Sequence, residues 1–116
     1  NPFKRNNSFA RRCLESQRII SKYPDRLPVI CQKSLHAGAE CPEIDKNKYL
    51  IPCDLTIGQL IYVIRKRLHL NSEMALFMFV NGNIPSVTEL ISSIYEREHD
   101  QDGFLYIDYS QENTFG

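Results

Sequence analysis

Residues 48–68 read KYLIPCDLTIGQLIYVIRKRL, and the reading of this stretch decides the fold. Tyr49-Leu50-Ile51 is a short strand, and Lys48 just before it is placed to pair across to a neighbouring strand. Ile57, Leu60, Ile61, Ile64 and Leu68 then fall at i, i+3, i+4, i+7 and i+11, one apolar stripe of a helix that faces a sheet. Asp54 or Thr56 supplies the oxygen that caps its first turn. Arg65, Lys66 and Arg67 close it, where cations meet the negative end of the helix dipole. Val63 lies off the stripe, so it is expected at the surface.

Upstream, Leu27 to Lys33 reads as the partner strand, with Pro28 pushing its start to an edge-like position. Before it, Ser8 caps a helix over about 9–21, with Phe9, Cys13, Leu14, Gln17 and Ile20 near one face. Pro24 disfavours a helical Tyr23 and ends that helix. Residues 1–7 are either a short extra helix or a loose arm. Residues 34–47 are polar, carry Gly and Pro, and have no period, so they are loop.

Downstream, Leu76 to Val80 is a buried strand followed by Asn81-Gly82, the strongest short turn signal of the chain. Thr88 is expected to cap a short helix carrying Leu90, Ile91, Ile94 and Tyr95. The acidic loop 96–103 ends in Gly103, and Phe104 to Tyr109 is the last strand. The order is helix, then β-β-α-β-α-β, which fits an α+β roll in the ubiquitin-like, β-grasp layout with an N-terminal helical extension. The divisions expected are 1–23 for the extension, 24–109 for the ubiquitin-like domain and 110–116 for a flexible tail.

With 116 residues and 42% of them hydrophobic, the chain suits a single core. Fourteen Lys and Arg balance fourteen Asp and Glu, which argues against a general nucleic-acid binder. The longest apolar run ends at Val80 and is far shorter than the ~20 residues that span a bilayer. No apolar targeting segment occurs in residues 1–22. Neutrality hides an asymmetry: residues 1–26 carry seven basic and two acidic side chains, residues 91–116 one basic and six acidic. The two ends are either solvated faces, or the basic start attracts acidic peptides or anionic lipid. Cys13, Cys31, Cys41 and Cys53 contain no C-x-x-C pair, so free thiols are expected, with neither a zinc site built on His36 and Cys41 nor a Cys/His nucleophile.

Several separated segments resemble the GABARAP-type autophagy ubiquitin-like modifiers. They are KYPDRLPVI (22–30), DKNK (45–48), YLIP (49–52), DLTIGQ (54–59), IRKRL (64–68), ALFMFVN (75–81), FLYI (104–107) and Tyr109-Ser110, in the family's order from about Phe9 to Gly116. The resemblance implies a protein tag and not an enzyme, with no cofactor and no metal. E1-like and E2-like enzymes would activate the terminal Gly116 and pass it to the amine of phosphatidylethanolamine. A cysteine protease would process the precursor and release the tag. Glycine suits this step because it has no Cβ to hinder a narrow channel.

The resemblance also implies docking of cargo receptors through aromatic-x-x-aliphatic peptides, by strand addition to a free sheet edge. It places Glu15, Ile19, Pro28, Ile30, Lys48, Leu50 and Phe104 around the aromatic pocket. Tyr49, Ile51, Pro52, Leu55, Leu60 and Val63 line the aliphatic pocket, and Arg65 and Arg67 join Lys48 as a basic rim. Read without the family, Ile30, Leu50 and Phe104 are equally well core residues. Leu60 stands where relatives commonly carry an aromatic residue, and the loop 34–44 is longer and less basic than in relatives. The implied location is the cytoplasm, and the autophagosome membrane once lipidated. The alternative is a ubiquitin-like peptide-binding adaptor that is never conjugated.

Overall fold

A computed structural model describes residues 1–113, Asn113 by its backbone alone. The elements are α1 (Pro2–Asn6), α2 (Phe9–Lys22), β1 (Arg26–Lys33), β2 (Lys48–Pro52), α3 (Ile57–Leu68), β3 (Met74–Phe79), α4 (Ile91–Glu98) and β4 (Leu105–Asn113). The four strands form one mixed sheet in the order β2-β1-β4-β3. β1 and β2 pair antiparallel, with Pro28 opposite Leu50 and Ile30 opposite Lys48. β1 and β4 pair parallel from Val29 and Leu105 onward. Pro28 therefore precedes the β4 ladder, which is where a residue without an N–H fits. β2 is left as an outer strand.

Alternation along the strands sorts side chains to two faces. Val29, Cys31, Tyr49, Ile51, Leu105 and Ile107 meet the α3 stripe in the main core. Ile30 and Phe104, with Leu50 and Tyr106 half-buried beside them, meet Ile19 of α2 and Phe3 of α1 on the other face. Ile57, Leu60, Ile64 and Leu68 are buried, each contributing about 1.5–3 kcal/mol. Of the two cap candidates, Thr56 is the cap: its Oγ1 accepts Gln59 N–H at 3.2 Å, while Gln59 Oε1 accepts Thr56 N–H at 2.9 Å. Asn81 (φ 51°) and Gly82 (φ 82°) form the expected tight turn, closed by the reciprocal Val80–Asn83 bonds.

Four readings are corrected. The inward face of α2 is not the one expected from Phe9, Leu14 and Ile20, which are exposed; Ser16 and Ile19 are buried instead. The helix turns a largely polar face inward because it docks on the loop at Asp102 and Gly103, where its Arg12 and Ser16 find partners. Thr88 does not cap α4, whose N-cap is Leu90 with no side-chain cap bond. The chain there is committed to α3 instead: Ile57 N–H donates to Glu89 C=O at 3.0 Å and Gly58 N–H to Val87 C=O at 2.8 Å. β3 starts at Met74, two residues before the expected start.

β4 continues past Tyr109, with Ser110 opposite Phe77 and Glu112 opposite Ala75. The expected flexible tail from Ser110 thus begins, through Asn113, as paired strand. The loop 34–47 is bound to β4, since Tyr109 Oη donates to Pro42 C=O at 2.7 Å and Gln111 Nε2 to Glu40 C=O at 2.9 Å. Of the two readings of residues 1–7, the helix is correct, and Phe3 is its buried residue.

Candidate functional site

The outer strand β2 lies between two apolar surfaces because its side chains alternate. Lys48 and Leu50 go to the α2 side, Tyr49 and Ile51 to the α3 side. On the α2 side the residues expected around an aromatic pocket come together. Ile30 and Phe104, both fully buried, pack with buried Ile19 and half-buried Leu50 in one cluster, and Pro28 is buried on the same strand as Ile30. Lys48 Nζ donates to the Glu15 carboxylate across the mouth, joining β2 to α2. A cavity of about 450 Å³ continues from there along α2, lined by Phe3, Arg11, Leu14, Glu15, Arg18 and Lys48.

On the α3 side, Ile51 and Leu60 are buried in the main core and Tyr49 is 7% exposed. Pro52 and Leu55 are half-buried at the turn where Leu55 N–H donates to Pro52 C=O at 3.1 Å. Val63 is 41% exposed, as its place off the stripe requires. The Tyr49 hydroxyl is, among the described residues, the one buried side-chain polar atom without a hydrogen-bond partner. Burial pushes this phenol up to about 12, with Cys31 and Asp45 adding and Arg67 opposing.

The two arginines of the expected rim separate. Arg67 forms a two-pronged pair with Asp45, Nε to Oδ1 at 3.2 Å and Nη2 to Oδ2 at 3.1 Å. Lys46 stands 5.3 Å from the centre of the Tyr49 ring. Arg65 donates instead to the backbone carbonyls of Met74 and of Asn71, the latter at 2.9 Å. Met74 begins β3, at the opposite edge of the sheet, so the Arg65 guanidinium is structural and not on the β2 rim. Its neighbours Lys66 and Arg67 gave no means of telling them apart in sequence; only the loop after α3 does.

Sequence reasoning missed Phe3, whose ring meets Phe104 edge-on at 5.2 Å between centroids. Its signal was a lone aromatic in a polar arm. Gly116 lies outside the described residues. All four cysteines are free thiols; Cys31 and Cys41 are buried, Cys13 and Cys53 half-buried, and burial, helped by Asp108, raises Cys31 to about 12. Among the described residues no group of three metal-ligating side chains converges, and no helix is long and apolar enough to cross a membrane.

Comparison with known proteins agrees with this geometry. Residues 11–116 match the family described as autophagy protein Atg8, ubiquitin-like. The chain is 56% identical to autophagy-related protein 8e of Arabidopsis thaliana, over 98% of this chain and 92% of that one. It is 54% identical to autophagy-related protein 8 of Mycosarcoma maydis, over 98% and 95%. The crystal structure of Trypanosoma brucei ATG8 superposes with a TM-score of 0.91 at 39% identity, covering 100% of this chain and 98% of that one. With the fold, the open strand edge and the family match in agreement, this chain belongs to the Atg8 family of ubiquitin-like autophagy proteins.

Proposed function

We propose that this protein is a conjugated modifier of autophagy and not an enzyme. Gly116 is joined to phosphatidylethanolamine, and the β2 edge then recruits cargo receptors and machinery carrying aromatic-x-x-aliphatic peptides. The observation that carries the reading is the outer strand β2 with an apolar surface on either side, in a chain that matches the Atg8 family over residues 11–116. A peptide strand added to β2 gains main-chain hydrogen bonds, and its alternate side chains enter the two surfaces.

The covalent chemistry proposed is that of an activated acyl transfer. The Gly116 carboxylate attacks ATP to give an acyl-adenylate and pyrophosphate. An E1-like cysteine thiolate displaces AMP, and the acyl group moves to an E2-like cysteine. The lipid amine then attacks the thioester, forming an amide and releasing the thiol. A cysteine protease trims any extension beyond the glycine and later hydrolyses the amide. The protein works in the cytoplasm and, once lipidated, on the autophagosome membrane.

Incubation with E1-like and E2-like enzymes, ATP and phosphatidylethanolamine liposomes tests this. A faster-migrating, membrane-bound form that is lost in Gly116→Ala is expected. Peptide binding without any such form would instead identify an adaptor that is never conjugated.

A further inference from the structure

The loop between α4 and β4 contains a carboxylate that neither peptide pocket accounts for. The Asp102 side chain is wholly buried, and burying a charge is costly unless it is paired and hydrogen-bonded. Its Oδ2 accepts Arg12 Nη1 at 2.6 Å and the Tyr106 hydroxyl. Its Oδ1 accepts Phe104 N–H at 2.8 Å, fixing the turn from which the Phe104 ring enters the α2-side cluster. Its backbone carbonyl accepts Ser16 Oγ at 2.5 Å. Gly103, at φ 91°, comes so close to α2 that a Cβ there would overlap Ser16 Oγ.

Arg12 and Ser16 share a helix face with Glu15 and Ile19, since positions three and four apart are neighbours on α2. The residues that bind the Asp102 loop are thus interleaved with the residues that wall the aromatic pocket. The carboxylate grips the helix through one oxygen and the Phe104 backbone through the other. The Asp102 side chain thus bonds α2 and the Phe104 backbone at once, beside the Ser16 bond to its carbonyl and the packing of Ile19 with Phe104.

We propose that Asp102 is a positioning residue for the aromatic pocket, holding wall and floor at the separation that admits a flat aromatic side chain. This rests on the peptide-binding reading above. Pre-organisation of this kind lowers the ordering cost of binding, so its loss is felt at the aromatic residue of the peptide and not at the aliphatic one.

The test pairs Asp102→Asn with two acid-flanked peptides, one carrying tryptophan at the aromatic position and one carrying leucine there. The chain has no tryptophan, so the peptide's indole emission reports its own burial. Asp102→Asn is expected to weaken the tryptophan peptide about tenfold and the leucine peptide about twofold or less, a coupling typical of groups in one network. Its indole blue shift is also expected to shrink. Equal losses for both peptides overturn the proposal. Where Asp102→Asn does not fold, Ser16→Ala, which removes the hydroxyl's bonds to the Asp102 and Cys13 carbonyls and leaves the carboxylate in place, carries the same comparison, with the same overturning result. A wild-type chain that leaves the indole emission unchanged overturns the peptide-binding reading itself, whereas wild-type binding with no coupling overturns only the role of Asp102.

Discussion

Lys48 on the outer strand β2 is ion-paired to Glu15 on α2, so the cation at the mouth of the proposed aromatic pocket is already held by an internal acid. An acidic residue flanking a bound peptide competes with Glu15 for this ammonium. The Lys48 side chain is 44% exposed, and half-exposed pairs are worth only about 0.2–1 kcal/mol. Glu15→Gln is expected to tighten an acid-flanked peptide about two- to fivefold and to leave a neutral-flanked one within about twofold. Isothermal titration of both peptides checks this; Lys48→Glu should weaken the acid-flanked peptide more than the neutral one, and equal losses would remove the electrostatic role.

Leu50 packs against the Ile30–Phe104 cluster while remaining half-buried, so it offers its outer surface to a ligand. Leu50→Ala is expected to cost more than about 1 kcal/mol of peptide affinity through loss of the pocket wall. Calorimetry on a variant with an unaltered circular dichroism spectrum decides it. Unchanged affinity would remove Leu50 from the site.

Arg65 and Arg67 are two residues apart in one helix yet serve opposite sheet edges. Arg65→Met removes bonds to the Met74 and Asn71 carbonyls and is expected to lower stability by about 1–2 kcal/mol, with peptide affinity unchanged. Arg67→Met leaves β3 intact and is expected to reduce affinity for acid-flanked peptides about twofold. Denaturant unfolding and titration of the two variants side by side would expose a reversal of these roles.

Asp100 ties the N-terminal helix to the body, accepting Lys4 Nζ at 2.7 Å and the Asp102 N–H at 3.0 Å. Burial alone raises its carboxyl, but the Lys4 and Asp102 hydrogen bonds outweigh burial and hold it below the ordinary carboxylate range. A group with a depressed folded value contributes stability above its unfolded value, about 3.9, and loses it as pH falls through the folded value. Asp100→Asn is therefore expected to be less stable than wild type at pH 7, with the gap closing below about pH 4. Thermal unfolding at pH 7, 4 and 2.5 measures it, and a gap that persists at pH 2.5 would show the effect is not electrostatic.

The apolar positions of α3 were legible because its stripe repeats over three turns and contains no competing pattern; Ile57, Leu60, Ile64 and Leu68 are all buried. The same counting failed on α2. There the apolar residues Phe9, Leu14 and Ile20 lie outward, and a polar face is buried because its partners are a carboxylate and two carbonyls. Hydrophobic periodicity misplaces the inward face of a helix that docks largely by hydrogen bonds, with Ile19 as its one buried apolar side chain. β4 also outran its apolar pattern, since Ser110 and Gln111 extend the strand through backbone pairing to β3 and not through burial.

Sequence by itself determined the α+β layout, the helix stripe and the tight turn at Asn81-Gly82, because each follows from local spacing and backbone preference. The tertiary structure alone decided which cation each edge receives, which face of α2 turns inward, and that Asp102 joins α2 to Phe104. Those outcomes depend on groups that meet only in space, up to ninety residues apart in the case of Arg12 and Asp102, and no local pattern encodes such a pair.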